Sequence, residues 1–307
     1  MKFIRNFTQE LTKNRTLFIM ILPAVLVVFL IGYIPMSGII LAFKNYQFNL
    51  GIFHSPWVGF DNFKFFFRSG TGLHVTINTI YFNLLNMVTS QGFAIIIAVF
   101  LSEIRGKVFK KVTQSIIFFP YFISWIIVGA FVDNIFNYER GTLNNILKML
   151  GHAPLNLYSI PWAWIIIICL FNSWKWVGYN SVVYIAAIAG VDTSCYEAAD
   201  LDGANMFQRV RYITLPTIRP TIVTIVLLNI GRILRGDFQM FFQIVGNNGQ
   251  LFNATDVIDT FVFRSLINNG DIGMTAAASF YQSFLCFIII IAVNKILKKV
   301  SEDYALF

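Results

Sequence analysis

Three sets of polar side chains recur at helical spacing inside apolar stretches, the pattern from which a water-filled path through a membrane can be built. Asn229, Arg232, Arg235 or Gly236, Gln239 and Gln243 follow one another at three- and four-residue steps, which on a single helix places them on one face. Thr79, Asn83, Asn86 and Ser90 repeat the pattern, and so do Asn172, Lys175 or Trp176, and Tyr179. An ionisable group at membrane depth is costly, so Lys175, Arg232 and Arg235 each carry a functional hypothesis. Amides and cations bind hydroxyls, while the rings of Trp174, Trp176 and Tyr179 suit stacking on the apolar faces of pyranoses. The pattern predicts a path for a sugar-like solute. Simpler readings stand beside it: Asn, Thr and Ser bond helices to one another without touching cargo, and Asp133 or Asp237 could neutralise Arg232 or Arg235. Neutral and anionic cargo both remain open.

Other chemistry finds little support. Cys169, Cys195 and Cys286 are isolated, as are His54, His74 and His152, so neither a disulfide framework nor a metal site is expected. A membrane-embedded glycan enzyme needs paired carboxylates, and only Asp133 and Asp237 approach span depth, so no catalytic residue is assigned. The formal charge of +8 would suit nucleic acid if it were clustered on a solvated face. It lies instead at the ends of apolar runs, which argues against a nucleic-acid partner.

The elements that must hold these residues are membrane helices. With 57% hydrophobic residues, 12% charged residues and 33 Phe, the chain carries more apolar surface than a soluble domain of 307 residues can bury. A bilayer core takes roughly 20 apolar residues per helix, because lipid offers the backbone no other hydrogen-bond partner. Six stretches qualify, at about 17–43, 73–101, 112–136, 161–189, 221–245 and 275–297, giving an all-α polytopic protein with a leading segment 1–16 and a tail 298–307. The first stretch exceeds a signal-peptide apolar region of about 7 to 15 residues and lacks a small-residue cleavage site, so it is expected to stay as a span. Pro23, Pro35 and Pro120 predict kinks.

Lys and Arg bias sets the orientation. Lys2, Arg5, Lys13, Arg15, Arg105, Lys107, Lys110, Lys111, Arg209, Arg211, Arg219, Lys295, Lys298 and Lys299 fall on one side; Lys44, Lys64, Arg68, Arg140, Lys148 and Arg264 fall on the other. Both termini and the loop 190–220 are therefore expected in the cytoplasm. On the outer side, Phe53, Trp57, Phe60, Phe63, Phe65, Phe66 and Phe67 read as an interfacial aromatic belt, with Trp57 to Phe60 and Asn247 to Asp259 as the alternative landing surface for a partner.

Within the cytoplasmic loop, YEAADLDGANMFQRVRYITLP from Tyr196 predicts a short helix, a bend at Gly203 and a second helical segment from about Met206 to Tyr212. Leu215-Pro216 is expected to stop that segment, and Arg219-Pro220 to open the next span. Small residues on a projecting helix suit insertion into a groove of a cytoplasmic protein. The chain has no phosphate-cradling loop: its Gly106-Lys107 pair has Leu101 five positions before it and Val108 after it. Any ATPase must be another polypeptide.

Glu197-Ala198-Ala199, Asp202, Gly203, Ile213 and Leu215-Pro216 stand at the spacing of the EAA signature, and this stretch resembles the permease subunits of binding-protein-dependent ABC importers. YIPMSGIILAF from Tyr33, SPWVGFDNF from Ser55, PYFISW from Pro120, WKWVGYNSVVYIAAIAGVD from Trp174 and VIDTFVF from Val257 are similar to the complex-oligosaccharide and polysaccharide branch, of maltose type. The resemblance implies a six-helix type I permease that pairs with a second homologous permease, two ATPase subunits and an extracellular solute-binding protein in a bacterial cytoplasmic membrane. It implies that Glu197 and Gly203 enter the ATPase cleft, with Ala198, Ala199 and Asp202 beside them. ATP and Mg then belong to the ATPase subunits, this chain holds no cofactor, and ATP binding switches the cavity between its two openings. The alternative class is an ATP-independent channel or secondary carrier, in which inverted repeats are common; no half-to-half similarity is visible.

Overall fold

The computed structural model describes residues 10, 13–68, 70–104 and 106–300. Arg105, most of the leading segment 1–16 and residues 301–307 of the expected tail lie outside the described residues. Among the described residues the fold is helical, with one isolated antiparallel bridge between Lys44 and Trp57.

Helix α1 runs Arg15–Phe43 and turns from α through a π segment, Phe29–Tyr33, into a 3-10 stretch, Ile34–Phe43. Within Arg15–Val28 no residue is buried. The 3-10 end packs on the last helix, α12, Ile272–Val300. A short amphipathic helix, α2, Asp61–Arg68, follows, with Phe66 fully buried while Trp57 and Phe60 stay exposed. The central pair is α3, Thr71–Glu103, and α7, Pro161–Ala189, the most extensive helix contact in the molecule. Three polar bridges cross it: Ser173 Oγ to Thr89 Oγ1 at 3.1 Å, Asn180 Nδ2 to Ser90 Oγ at 2.8 Å and Tyr184 Oη to Gln91 Oε1 at 2.9 Å.

Two expected spans are broken. The third, expected at 112–136, consists of α4, Lys107–Phe122, and α5, Trp125–Phe136, which meet at 92°. Pro120 sits in the tight 3-10 turn before the break, and Ser124 caps α5 through Ile127 N–H. The bend leaves the carbonyls of Tyr121 and Ile123 without helical donors, and the Lys175 ammonium donates to both. Between α5 and α7 lies a short helix, α6, Thr142–Met149.

The loop and the fifth span differ more from expectation. Helix α8, Thr193–Leu201, turns away from α7 by 74°. Asp192 caps it, and the Ser194 amide holds that carboxyl below the usual carboxylate range. Gly203 then takes φ +77°, a left-handed turn that glycine adopts without a Cβ penalty. Asn205 and Gln208 form a capping box that opens α9, Met206–Ile230. Leu215-Pro216 does not stop this helix, and Arg219-Pro220 does not start a new one. The π turn at Val210–Thr214 shifts the hydrogen-bond register just before Pro216, where a normal turn would need the missing N–H.

At its far end α9 stops at Ile230, short of the expected 245. Residues 231–237 form a non-helical turn, and a separate helix, α10, Phe238–Val245, follows. Helix α11, Ile258–Asn269, leads back to α12. The core divides accordingly. One cluster joins α5, α7 and α10 around Trp125, Trp164 and Phe241; a second joins α3, α7 and α9; a third joins α3, α11 and α12 around Phe66 and Ile258.

Candidate functional site

Irregular backbone at membrane depth persists only where protein groups replace the lost helical bonds or where it lines a cavity. The turn 231–237 meets both conditions. Asn83 Nδ2 donates to the carbonyls of Ile233 at 2.8 Å and Arg235 at 3.2 Å. Gln282 Nε2 donates to the Leu234 carbonyl at 2.6 Å, and Asp259 Oδ2 accepts from Gly236 N–H at 2.7 Å and from Gln282 at 3.0 Å. A Cβ at Gly236 would come within 2.9 Å of Asp259 Oδ2, so this contact needs glycine. Side chains of α3, α11 and α12 thus fix a turn that carries Arg232 and Arg235.

The turn forms one wall of a cavity of about 500 Å³ between α3, α7 and the end of α9. Nine of the residues singled out for the path line it: Asn83, Asn86, Ser90, Asn172, Trp176, Tyr179, Asn229, Arg232 and Arg235. Tyr179 stacks on Tyr121 with ring centroids 4.5 Å apart, and Trp176 meets Tyr121 edge-on at 5.5 Å, making an aromatic corner. Asn86 is 9% exposed and its Oδ1 has no hydrogen-bond partner among the described residues.

Five others lie elsewhere. Trp174 packs on Phe171 and lines a separate, largely apolar groove of about 590 Å³ on the outer face of α3 and α7. Lys175 is buried at the α4–α5 break, with its ammonium 5.2 Å from the Trp125 ring centroid. Gln239 and Gln243 ride on α10 beyond the turn, so the expected single polar face from Asn229 to Gln243 does not exist. Thr79 serves structure as well, accepting from Ile258 N–H at 2.9 Å at the start of α11.

The expected neutralisation of the arginines is also corrected. Asp133 pairs with Arg140 at 2.7 Å. Asp237 accepts from Trp125 Nε1 at 2.9 Å and from Met240 N–H at 3.1 Å, capping α10. Among the described residues neither Arg232 nor Arg235 forms an ion pair, and both are exposed. Residues missed in the sequence are Gln91, Asn180 and Asp259, all on the cavity wall, and Gly236, the alternative to Arg235 in the polar series, joins them there. Asn180 extends the α7 series beyond Tyr179. Asp259 gave no signal, because it approaches from a helix remote in sequence. Burial pushes its carboxyl above the usual carboxylate range, against the hydrogen bonds from Gly236 and Gln282.

A second surface lies at the α8–α9 corner. Glu197, Ala198, Asp202 and Gly203 are exposed there, and Ala199 is half-buried. Leu201 and Phe207, 89% and 82% exposed, are large apolar side chains that a covering partner would bury. Ile213, Leu215 and Pro216 lie further along α9 and are not at its tip. The corner is braced from within: Tyr196 Oη bonds Thr214 Oγ1 at 2.9 Å, and Arg209 bridges Asp200 at 2.6 Å and Glu103 at 2.8 Å.

Comparison with known proteins bears on both surfaces. Residues 92–302 match the family of binding-protein-dependent transport system inner membrane components. The polygalacturonan/rhamnogalacturonan transport system permease YteP of Bacillus subtilis (strain 168) is 31% identical, covering 96% of this chain and 91% of the relative. A bacterial ABC transporter structure involved in import of the acidic polysaccharide alginate superposes with a TM-score of 0.86 at 27% identity, over 96% of this chain and 99% of that one. A bacterial alginate ABC transporter in complex with a periplasmic protein carrying an alginate pentasaccharide superposes at 0.84, with 27% identity and coverage of 95% and 97%.

Proposed function

Because this chain belongs to the binding-protein-dependent transport system inner membrane components, we propose that it moves an oligosaccharide or polysaccharide fragment through the cavity at the 231–237 turn by alternating access. Its role is that of a sugar-importer permease, a transport component and not an enzyme. Separate ATPase subunits, which hold ATP and Mg, drive it by closing on the α8–α9 corner. A second homologous permease and an extracellular solute-binding protein complete the assembly in a bacterial cytoplasmic membrane, with both termini cytoplasmic. The unburied face of α1 supports the second permease or lipid as its cover, and the alginate assembly, which includes a periplasmic binding protein, supports the third partner.

The observation that carries the reading is the composition of the cavity wall. Amides from α3, α7 and α9 face one space with an aromatic corner, as sugar hydroxyls and ring faces require. The free hydrogen-bonding capacity is asymmetric. Asp237 and Asp259 are engaged by protein donors, while among the described residues the guanidiniums of Arg232 and Arg235 make no direct salt bridge, Arg235 acting on Asp259 only through its charge. Planar forks of this kind bind carboxylates in bidentate fashion, so a uronic-acid oligomer is the favoured cargo. Uptake of an oligogalacturonate and of a maltooligosaccharide by the assembled importer tests this. Arg232→Gln and Arg235→Gln are expected to reduce oligogalacturonate uptake at least tenfold. Equal uptake by wild type and both variants would refute the acidic-cargo reading.

A further inference from the structure

We propose that Arg209 is the positioning residue that transmits movement of the α8–α9 corner to the cavity wall, by holding the corner to the end of α3. This rests on the functional reading above. The Arg209 guanidinium is 17% exposed and divides its two terminal nitrogens between two elements: Nη1 meets Asp200 on α8 at 2.6 Å, and Nη2 meets Glu103, the last residue of α3, at 2.8 Å. Its Nε is buried with no hydrogen-bond partner among the described residues, so the side chain is committed to these two carboxylates. Three elements that share no continuous backbone helix, α3, α8 and α9, are therefore pinned through one planar cation. A lysine would have to hold both acceptors from one nitrogen on a flexible stem, without the rigid fork that sets their separation.

The far end of the connection is the site itself. Asn86 lies about 26 Å back along α3 from Glu103, at ~1.5 Å per residue. Asn83 on the same helix holds the carbonyls of the 231–237 turn. A push on α8 that reaches Glu103 through Arg209 thus moves an unbroken helix bearing Asn83 and Asn86, and with them the turn that carries Arg232 and Arg235. The other brace, Tyr196 to Thr214, joins α8 only to α9 and leaves α3 out. Arg209 is the polar link from the corner to the cavity's central helix, beside the apolar packing of α3 on α9.

The test uses the assembled importer in proteoliposomes with an oligogalacturonate as probe, measuring uptake and ATP hydrolysis together, with copurification of the ATPase as a control for assembly. Arg209→Gln, Arg209→Lys and Glu103→Gln are each expected to leave the ATPase bound and hydrolysing while uptake falls at least tenfold, so that ATP consumed per probe rises. Combining Glu103→Gln with Arg209→Gln is expected to add nothing to either change alone. Uptake and hydrolysis falling in proportion would overturn the proposal, because that is the signature of weakened docking. Variants that transport as wild type would overturn it as well. If wild type itself shows no ATP-dependent uptake, the functional reading fails, and the proposal falls with it.

Discussion

Lys175 shows how a residue's chemistry can be read correctly and its place misread. A cation at span depth demands a compensating partner, and the sequence offered a solute path as the reason. The partner is instead the backbone: the ammonium satisfies two carbonyls freed where α4 turns into α5. Pro120 is legible as helix punctuation, but the 92° break sits where Trp125, Lys175 and Asp237 meet from three remote parts of the chain, which spacing along one chain does not encode. Arg232 and Arg235, read by the same rule, do reach the cavity and lack ion partners among the described residues. The two kinds of cation should therefore respond differently to loss of charge. Lys175→Met leaves buried acceptors unpaired and is expected to cost about 1–3 kcal/mol, seen as a lower unfolding temperature of the purified protein in detergent. Arg232→Met should leave that temperature near the wild-type value. A Lys175→Met protein as stable as wild type would show that these carbonyls find other donors.

At the scale of elements, close approach is set by glycine. A Cβ on Gly178 of α7 would run into the carbonyl of Ile117 on α4, and one on Gly129 of α5 into the carbonyl of Gln243 on α10. These obstacles are backbone, which cannot rotate aside as a side chain can. Gly178→Ala is accordingly expected to force α4 from α7 and disturb the aromatic corner, with a loss of about 1–3 kcal/mol from overpacking. Thermal unfolding of the variant against Gly92→Ala, where a Cβ meets nothing within 4 Å, checks this; equal stability of the two would contradict the packing argument. Hydropathy marks apolar stretches because the need to satisfy the backbone in lipid acts locally along the chain. It could not find the break at 231–237, where Ile233 and Leu234 keep the stretch apolar while Asn83, Asp259 and Gln282 supply the missing bonds from afar. Pro216 misled in the opposite direction, since the π turn before it lets α9 continue.

For the whole molecule, α9 carries the α8–α9 corner at its start and the cavity at its end, and α3 lines the cavity along its middle, so the proposed energy input and the proposed cargo site share helices. Gly203 gives the cleanest separation between chain and partner. A Cβ there meets no atom of this chain within 4 Å, and the left-handed φ of +77° is one that Asp tolerates better than most residues. Gly203→Asp should thus fold while placing charge and bulk against whatever covers the corner. The decisive measurement is uptake of an oligogalacturonate by proteoliposomes containing the assembled importer, with ATP supplied at the α8–α9 face and the solute-binding protein at the other. Wild type is expected to accumulate the probe against its gradient only when both are present, and Gly203→Asp to abolish accumulation. Probe movement that needs no ATP, or that is unchanged in Gly203→Asp, would mark the chain as a channel or carrier and contradict the account.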